Sequence, residues 1–160
     1  MKLYFPQGKE WIEKSSSYPD DYRPGGCSDS GELKQLELVY IGFGLTAPEF
    51  NYDDYKGVDV KGKIVICEAG IPYTGREAEL QKKWMPYQYH SYKMKNAIQH
   101  GAVGMLYVST LGSPGVGWNK DFIYAGISEK VVEDIFIGPG RNYKESKEKI
   151  QKERKPASFA

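Results

Sequence analysis

The side chains that most often carry chemistry are scarce in this sequence. Its 160 residues include two histidines, His90 and His100, and two cysteines, Cys27 and Cys67. Zinc sites are built mainly from imidazole and thiolate, helped by carboxylates. Neither C-x-x-C nor H-x-x-x-H occurs, so no self-contained zinc site is expected and no metal ligand is assigned. The histidines sit at the two ends of one expected helix, about 15 Å apart along its axis, too far to share an ion. A serine or cysteine triad needs a base, and the nearest match to a nucleophile elbow, Gly112-Ser-Pro-Gly115, has the wrong spacing. No catalytic residue is expected in this chain. Cys27 falls in a Gly/Asp/Ser loop and Cys67 in an apolar strand. A disulfide formed in an oxidising compartment and two separate free thiols both stay open.

Three other patterns invite chemistry and yield to simpler explanations. Gly42-Phe-Gly-Leu-Thr-Ala47 succeeds a strand and fits G-x-G-x-x-A. That fingerprint works only where a helix opens with its amides facing a pyrophosphate. Here Pro48-Glu-Phe-Asn-Tyr-Asp-Asp54 comes next, with Gly57 close behind. The glycines are therefore read as permitting a bulge or a close backbone approach, and no cofactor is expected. Asp53, Asp54 and Asp59 lack calcium-loop spacing and are read as turn-forming carboxylates. Arg141 to Lys155 carries 7 basic and 3 acidic residues. Glu145 with Lys149 and Glu148 with Lys152 stand in the favoured i, i+4 order, which suits a solvated helix face. The net charge of +1 from 22 basic and 21 acidic residues also argues against a nucleic-acid partner.

The elements that must position these residues are set by composition and pattern. With 40% hydrophobic and 27% charged residues, the chain suits one packed α/β domain. No apolar run approaches the roughly 20 residues of a membrane helix. Residues 1–32 read as an irregular lead with at most a short strand or turn near Trp11-Ile12, 33–140 as the core, and 141–160 as a closing helix and return segment. Met1-Lys2-Leu-Tyr-Phe-Pro lacks the long apolar stretch of a signal peptide, so either the protein is cytoplasmic or its start has been removed. Strands are expected near 36–42, at 64–68, 103–109 and 122–127. A short helix is expected between Glu77 and Trp84. A second, capped by Ser91, should bury Met94, Ala97 and Ile98. Strand 64–68, that helix and strand 103–109 form a β-α-β unit with parallel strands. Gly112–Gly117 reads as a flexible loop. Ser128 caps a helix burying Val131, Val132, Ile135 and Phe136, stopped by Gly138-Pro139. A last helix spans 143–153, and Ser158-Phe-Ala160 looks like a strand that has only begun.

Several stretches together resemble a known family. Val39-Tyr-Ile-Gly-Phe-Gly-Leu-Thr-Ala-Pro48, Asn51-Tyr-Asp-Asp-Tyr-Lys-Gly-Val-Asp-Val-Lys-Gly-Lys-Ile-Val65, Tyr92-Lys-Met-Lys-Asn-Ala97 and His100-Gly-Ala-Val-Gly-Met-Leu-Tyr107 resemble the protease-associated (PA) domain inserted in di-zinc aminopeptidases. Gly117-Trp118, Ile127-Ser128 and the closing helix before Pro156 fit more loosely. The resemblance implies a three-layer β/β/α "swivelling" fold, with mixed sheets forming a barrel-like core and flanking helices. It implies two zinc ions in the catalytic domain of a parent chain, held by a His-x-Asp motif, a bridging Asp, a Glu-Glu pair and a distal His. Neither H-x-D nor a Glu-Glu pair occurs here, so none of those residues carries over. The expected partners are the catalytic peptidase domain of the same parent chain and its peptide substrate, in a secreted, periplasmic or envelope setting. The alternative is a stand-alone peptide-interaction or sorting module of receptor type.

The long loop from Gly70 to Tyr89 leaves a strand end, where functional loops concentrate. Its Arg76, Glu77, Lys82, Lys83, Trp84 and Tyr87 are the residues expected to face a substrate or partner, with the cations suited to a peptide carboxylate. A loop that only covers hydrophobic surface is the competing explanation.

Overall fold

A computed structural model describes residues 1–7, 10–34, 36–109 and 117–159. The chain opens with an antiparallel hairpin, β1 (Lys2–Gln7) and β2 (Glu10–Ser15). Next come β3 (Tyr22–Pro24), β4 (Leu38–Tyr40) and a small antiparallel pair, β5 (Thr46–Ala47) and β6 (Tyr52–Asp53). β7 (Ile64–Glu68), α1 (Ala78–Trp84), α2 (His90–Gln99) and β8 (Gly104–Val108) come after them. β9 (Ile123–Ile127), α3 (Glu129–Ile137) and α4 (Tyr143–Glu153) complete the order.

The apolar runs became the centre of the main sheet, whose strand order is β3-β9-β8-β7-β4. β4, β7, β8 and β9 are parallel, and β3 joins the β9 edge antiparallel. Ile66 pairs with Leu106, and Leu106 with Ala125. Strands covered on both faces read as unbroken hydrophobic runs, and alternate residues here feed two cores. Val39, Val65, Cys67, Met105, Tyr107 and Tyr124 pack with Met94 and Ala97 of α2. Tyr40, Ile66, Leu106, Val108, Ala125 and Ile127 pack with Val131, Val132, Ile135 and Phe136 of α3 and with Tyr143 and Ile150 of α4. Burying a side chain of this size is worth roughly 1.5–3 kcal/mol, so both helical layers are tightly held. The mixed α/β architecture matches the expectation. Among the described residues no closed barrel forms.

The β-α-β unit, the Ser128 cap and the four buried residues of α3 are as expected. The lead holds the short strand expected near Trp11-Ile12, which is β2, and is otherwise more regular than expected. It folds into the β1–β2 hairpin, whose Leu3 is buried and whose Lys14 pairs with Asp134 on α3. It also supplies β3, and Gly25 N–H donates to the Tyr124 carbonyl at 3.2 Å. Edge pairing of this kind depends on a distant backbone, which local composition does not reveal, and Pro24 is tolerated because it lies on an edge. Cys27 is buried in the second core, and both cysteines are free thiols. Gly112–Gly117 lies outside the described residues save for Gly117. The return segment makes one antiparallel bridge, Phe159 to Tyr40 on the β4 edge.

Helix α2 departs from its expected face. It starts at His90 with Tyr89 before it and no side-chain cap. Ile98 is exposed, while Lys93 and Asn96 are buried beside Met94 and Ala97. The expected ion pairs Glu145–Lys149 and Glu148–Lys152 are absent among the described residues. α4 instead pairs outward, Lys144 with Glu133 at 3.0 Å and Lys147 with Glu68 at 2.9 Å.

Candidate functional site

The loops that leave the carboxyl ends of β4 and β7 meet at a buried lysine. Lys93 reaches from α2 and its ammonium donates to the carbonyls of Phe43 (2.8 Å), Glu68 (2.8 Å) and Gly70 (2.6 Å). Three acceptors match its three N–H bonds, and burial holds its pKa below the usual lysine range. One turn along, Asn96 donates to the Gly44 carbonyl at 3.1 Å and to the Thr46 hydroxyl at 3.2 Å. Tyr92 donates to the Thr46 carbonyl at 2.7 Å. The polar face of α2 therefore holds the turn 42–46 and the first residue of the long loop together. Gly44 has φ +68°, and a Cβ there would lie 2.8 Å from Cys67 Sγ. This is the close approach expected of the paired glycines. The chain then makes a single 3-10 turn, Pro48–Phe50, and lacks at this point the α-helix a pyrophosphate site requires. Burial pushes the Cys67 thiol up to about 12, which leaves it inert as a nucleophile.

Two carboxylates, Asp54 and Glu68, lie in the interior. Asp53 and Asp59 do form turns, accepting from Tyr55 N–H and Lys61 N–H at 3.0 Å each. Asp54 instead is buried, accepting from Leu45 N–H at 3.0 Å and the Tyr52 hydroxyl at 2.8 Å. Burial raises its pKa to about 7. Glu68 ends β7 with its carboxylate buried beneath α4, 2.9 Å from the Lys147 ammonium. The hydroxyls of Tyr143 (3.1 Å) and Tyr40 (3.4 Å) donate to it. Burial raises the pKa of Glu68 while Lys147 opposes the shift. Burial works to lower the pKa of Lys147, but Tyr143 and Glu68 hold it above the ordinary range. These groups bind the loops and α4 to the sheet.

The six residues expected to face a substrate separate into two sets. Trp84 is buried, stacked on Phe50 with ring centroids 4.0 Å apart and edge-on to Tyr52 at 5.7 Å. Tyr87 is half-buried and donates to Glu49 at 2.5 Å. Arg76, Glu77, Lys82 and Lys83 are exposed, with Lys82 paired to Glu79 at 3.0 Å. The loop is thus both packed and presenting: its aromatic side chains fasten α1 to the 48–52 turn, and its cations face solvent. Trp84 supports the surface without belonging to it. Lys93 and Asn96, which shape this region most, are not among the residues that sequence pattern singles out. A polar pair at i, i+3 within an apolar helical stripe is the local signal that marks them.

No group of three His, Cys, Asp or Glu side chains among the described residues could hold a metal ion. His90 packs at 4.5 Å against Tyr107 and His100 stacks on Tyr55 at 4.0 Å, so both histidines serve as ring partners at opposite ends of α2. The donor set does not fit the two-zinc centre that the family resemblance places in a parent catalytic domain. Among the described residues, no helix is long and apolar enough to cross a membrane.

A family model for the PA domain matches residues 34–135. Among solved structures, an aminopeptidase from Aneurinibacillus sp. strain AM-1 is similar in fold, with a TM-score of 0.50 and 20% identity. The match covers 88% of this chain and 28% of that one, so this chain spans less than a third of that enzyme's length. No curated protein matches.

Proposed function

The chain belongs to the PA-domain family, whose model matches more than half of it, and we propose that it is the non-catalytic module of a zinc aminopeptidase. In this reading it lies against the catalytic domain of the same polypeptide, in a secreted or envelope enzyme. It covers part of the peptide cleft and restricts which substrates enter. The parent's zinc ions and all bond-breaking groups belong to the other domain.

One observation carries the reading: the loop from Gly70 to Tyr89 is an anchored platform that holds its cations outward. The Lys93 clamp fixes its start at the Gly70 carbonyl, and Trp84 fixes the end of α1 in the core. Arg76 and Lys83 are exposed between and beside these anchors. Guanidinium and ammonium groups on a fixed surface suit the carboxylate of a peptide, since charge-assisted hydrogen bonds are the stronger kind. Anchoring lowers the ordering cost of such a contact.

The test is peptidase kinetics of the full-length polypeptide with peptides of several lengths. Arg76→Ala with Lys83→Ala should raise KM severalfold for some lengths while kcat holds, because the cations bind substrate and take no part in chemistry. Unchanged KM across all lengths would remove the loop from the substrate path. Trp84→Ala is unsuitable for this purpose, because losing a buried tryptophan costs about 3–5 kcal/mol of stability. The present chain supplied with zinc should show no turnover, and robust turnover would overturn the non-catalytic assignment.

A further inference from the structure

The far end of α4 meets the anchored loop at a residue in an unusual conformation. Arg154 closes α4 with φ 51°, its N–H donating to the Ile150 carbonyl. Helices usually give this left-handed position to glycine, because a Cβ there is strained. The Arg154 guanidinium carbon lies 5.2 Å from the centre of the Tyr73 ring. Tyr73 is buried, and its hydroxyl accepts the Glu77 N–H at 3.1 Å, immediately before α1. A Cβ at Gly75 would collide with the same ring. Residues 73–77 therefore wrap around their own tyrosine, and Arg154 reaches that tyrosine from outside the loop. The body of α4 is pinned separately by buried Tyr143 and Ile150 and by Lys147 on Glu68.

We propose that Arg154 and Tyr73 are positioning residues that let α4 set the geometry of the loop bearing Arg76, Lys82 and Lys83. The strained backbone at Arg154 is kept because a glycine there would satisfy the helix end but could not reach Tyr73. Movement of α4 then becomes movement of the loop. The inference rests on the reading of that loop as the contact surface, yet it is tested without any substrate.

The experiment is hydrogen exchange by mass spectrometry on the full chain, tracking peptides across 71–84, together with the melting temperature. Arg154→Gly removes the cation and relieves the backbone. It should leave the melting temperature unchanged or raised, while exchange across 71–84 quickens about two- to fivefold, the factor expected for losing one exposed cation–π contact. Arg154→Lys, which keeps a cation, should restore part of the protection. Tyr73→Phe keeps the ring but loses the acceptor for Glu77, so exchange should quicken at the start of α1. Unaltered exchange across 71–84 in Arg154→Gly overturns the proposal, and so does an equal quickening in β8 and β9. Either failure leaves the substrate-contact reading standing. Conversely, a loop tuned by Arg154 that has no effect on KM would sink that reading alone.

Discussion

Lys93 Nζ and the carbonyl oxygen of Phe43 lie 2.8 Å apart, joining the buried face of α2 to a turn fifty residues upstream. The same ammonium binds the carbonyls of Glu68 and Gly70. One side chain thus ties the exits of two adjacent parallel strands to the crossover helix. A buried acceptor that loses its donor costs about 1–3 kcal/mol. Three carbonyls accept from Lys93, and the weaker thiol of Cys67 also reaches those of Phe43 (3.3 Å) and Glu68 (3.6 Å).

Lys93→Met should therefore lower unfolding stability by about 3 kcal/mol, even though it removes a buried charge. The urea midpoint at constant m-value reads the change directly. A loss below about 1 kcal/mol would mean that the three carbonyls are satisfied by other donors, and the clamp would be dispensable.

Asp54 makes native stability depend on pH near neutrality. Burial raises its folded pKa to about 7 from the ordinary aspartate value of 3.8. The folded state thus binds the proton more tightly than the unfolded state does. The resulting stabilisation is fully present below pH 3.8, declines as pH rises through the interval, and is gone above about 7. Asp54→Asn removes this titration. Melting temperatures of the two proteins, measured at half-unit steps from about pH 5 to 8, should diverge increasingly in favour of Asn as pH rises. A constant difference across the series would show that Asp54 does not titrate there.

Glu68 and Lys147 form a pair whose members cannot be removed singly without cost. Lys147→Met leaves a buried carboxylate without its cation and should cost about 3–5 kcal/mol. Adding Glu68→Gln should recover most of that loss, because the neutral amide leaves no unpaired charge and can accept from one tyrosine hydroxyl while its NH2 donates to the oxygen of the other. A double-mutant cycle from urea unfolding gives the coupling. If the two losses simply add, the contact between α4 and β7 does not pin the helix.

Much of the main sheet is legible in the sequence because its signals are local. Residues 64–67, 104–108 and 123–127 are continuous apolar runs, and Ser128 precedes Val131, Val132, Ile135 and Phe136 at helical spacing. The strings at 39–65 and 92–107 also carry the family resemblance that the PA-domain match over 34–135 supports. Beyond the short strand near Trp11-Ile12, neither β1, its pairing with β2, nor β3 is legible in this way. Pro6, Pro19, Pro24 and Gly25 are turn-forming residues, and nothing near them in sequence announces pairing with β9 or with each other.

The sequence by itself determined the parallel β-α-β unit, the capped α3 and the scarcity of metal ligands, since periodicity, capping and residue type act over a few positions. Only the tertiary structure decided that Lys93 and Asn96 face inward, that Asp54 is a buried acid, that Trp84 is core, and that Arg154 meets Tyr73. Each of those outcomes depends on a partner elsewhere in the fold, mostly dozens of residues away. A polar side chain is buried only where the fold brings it matching donors or acceptors, and that match exists in no single stretch of the chain.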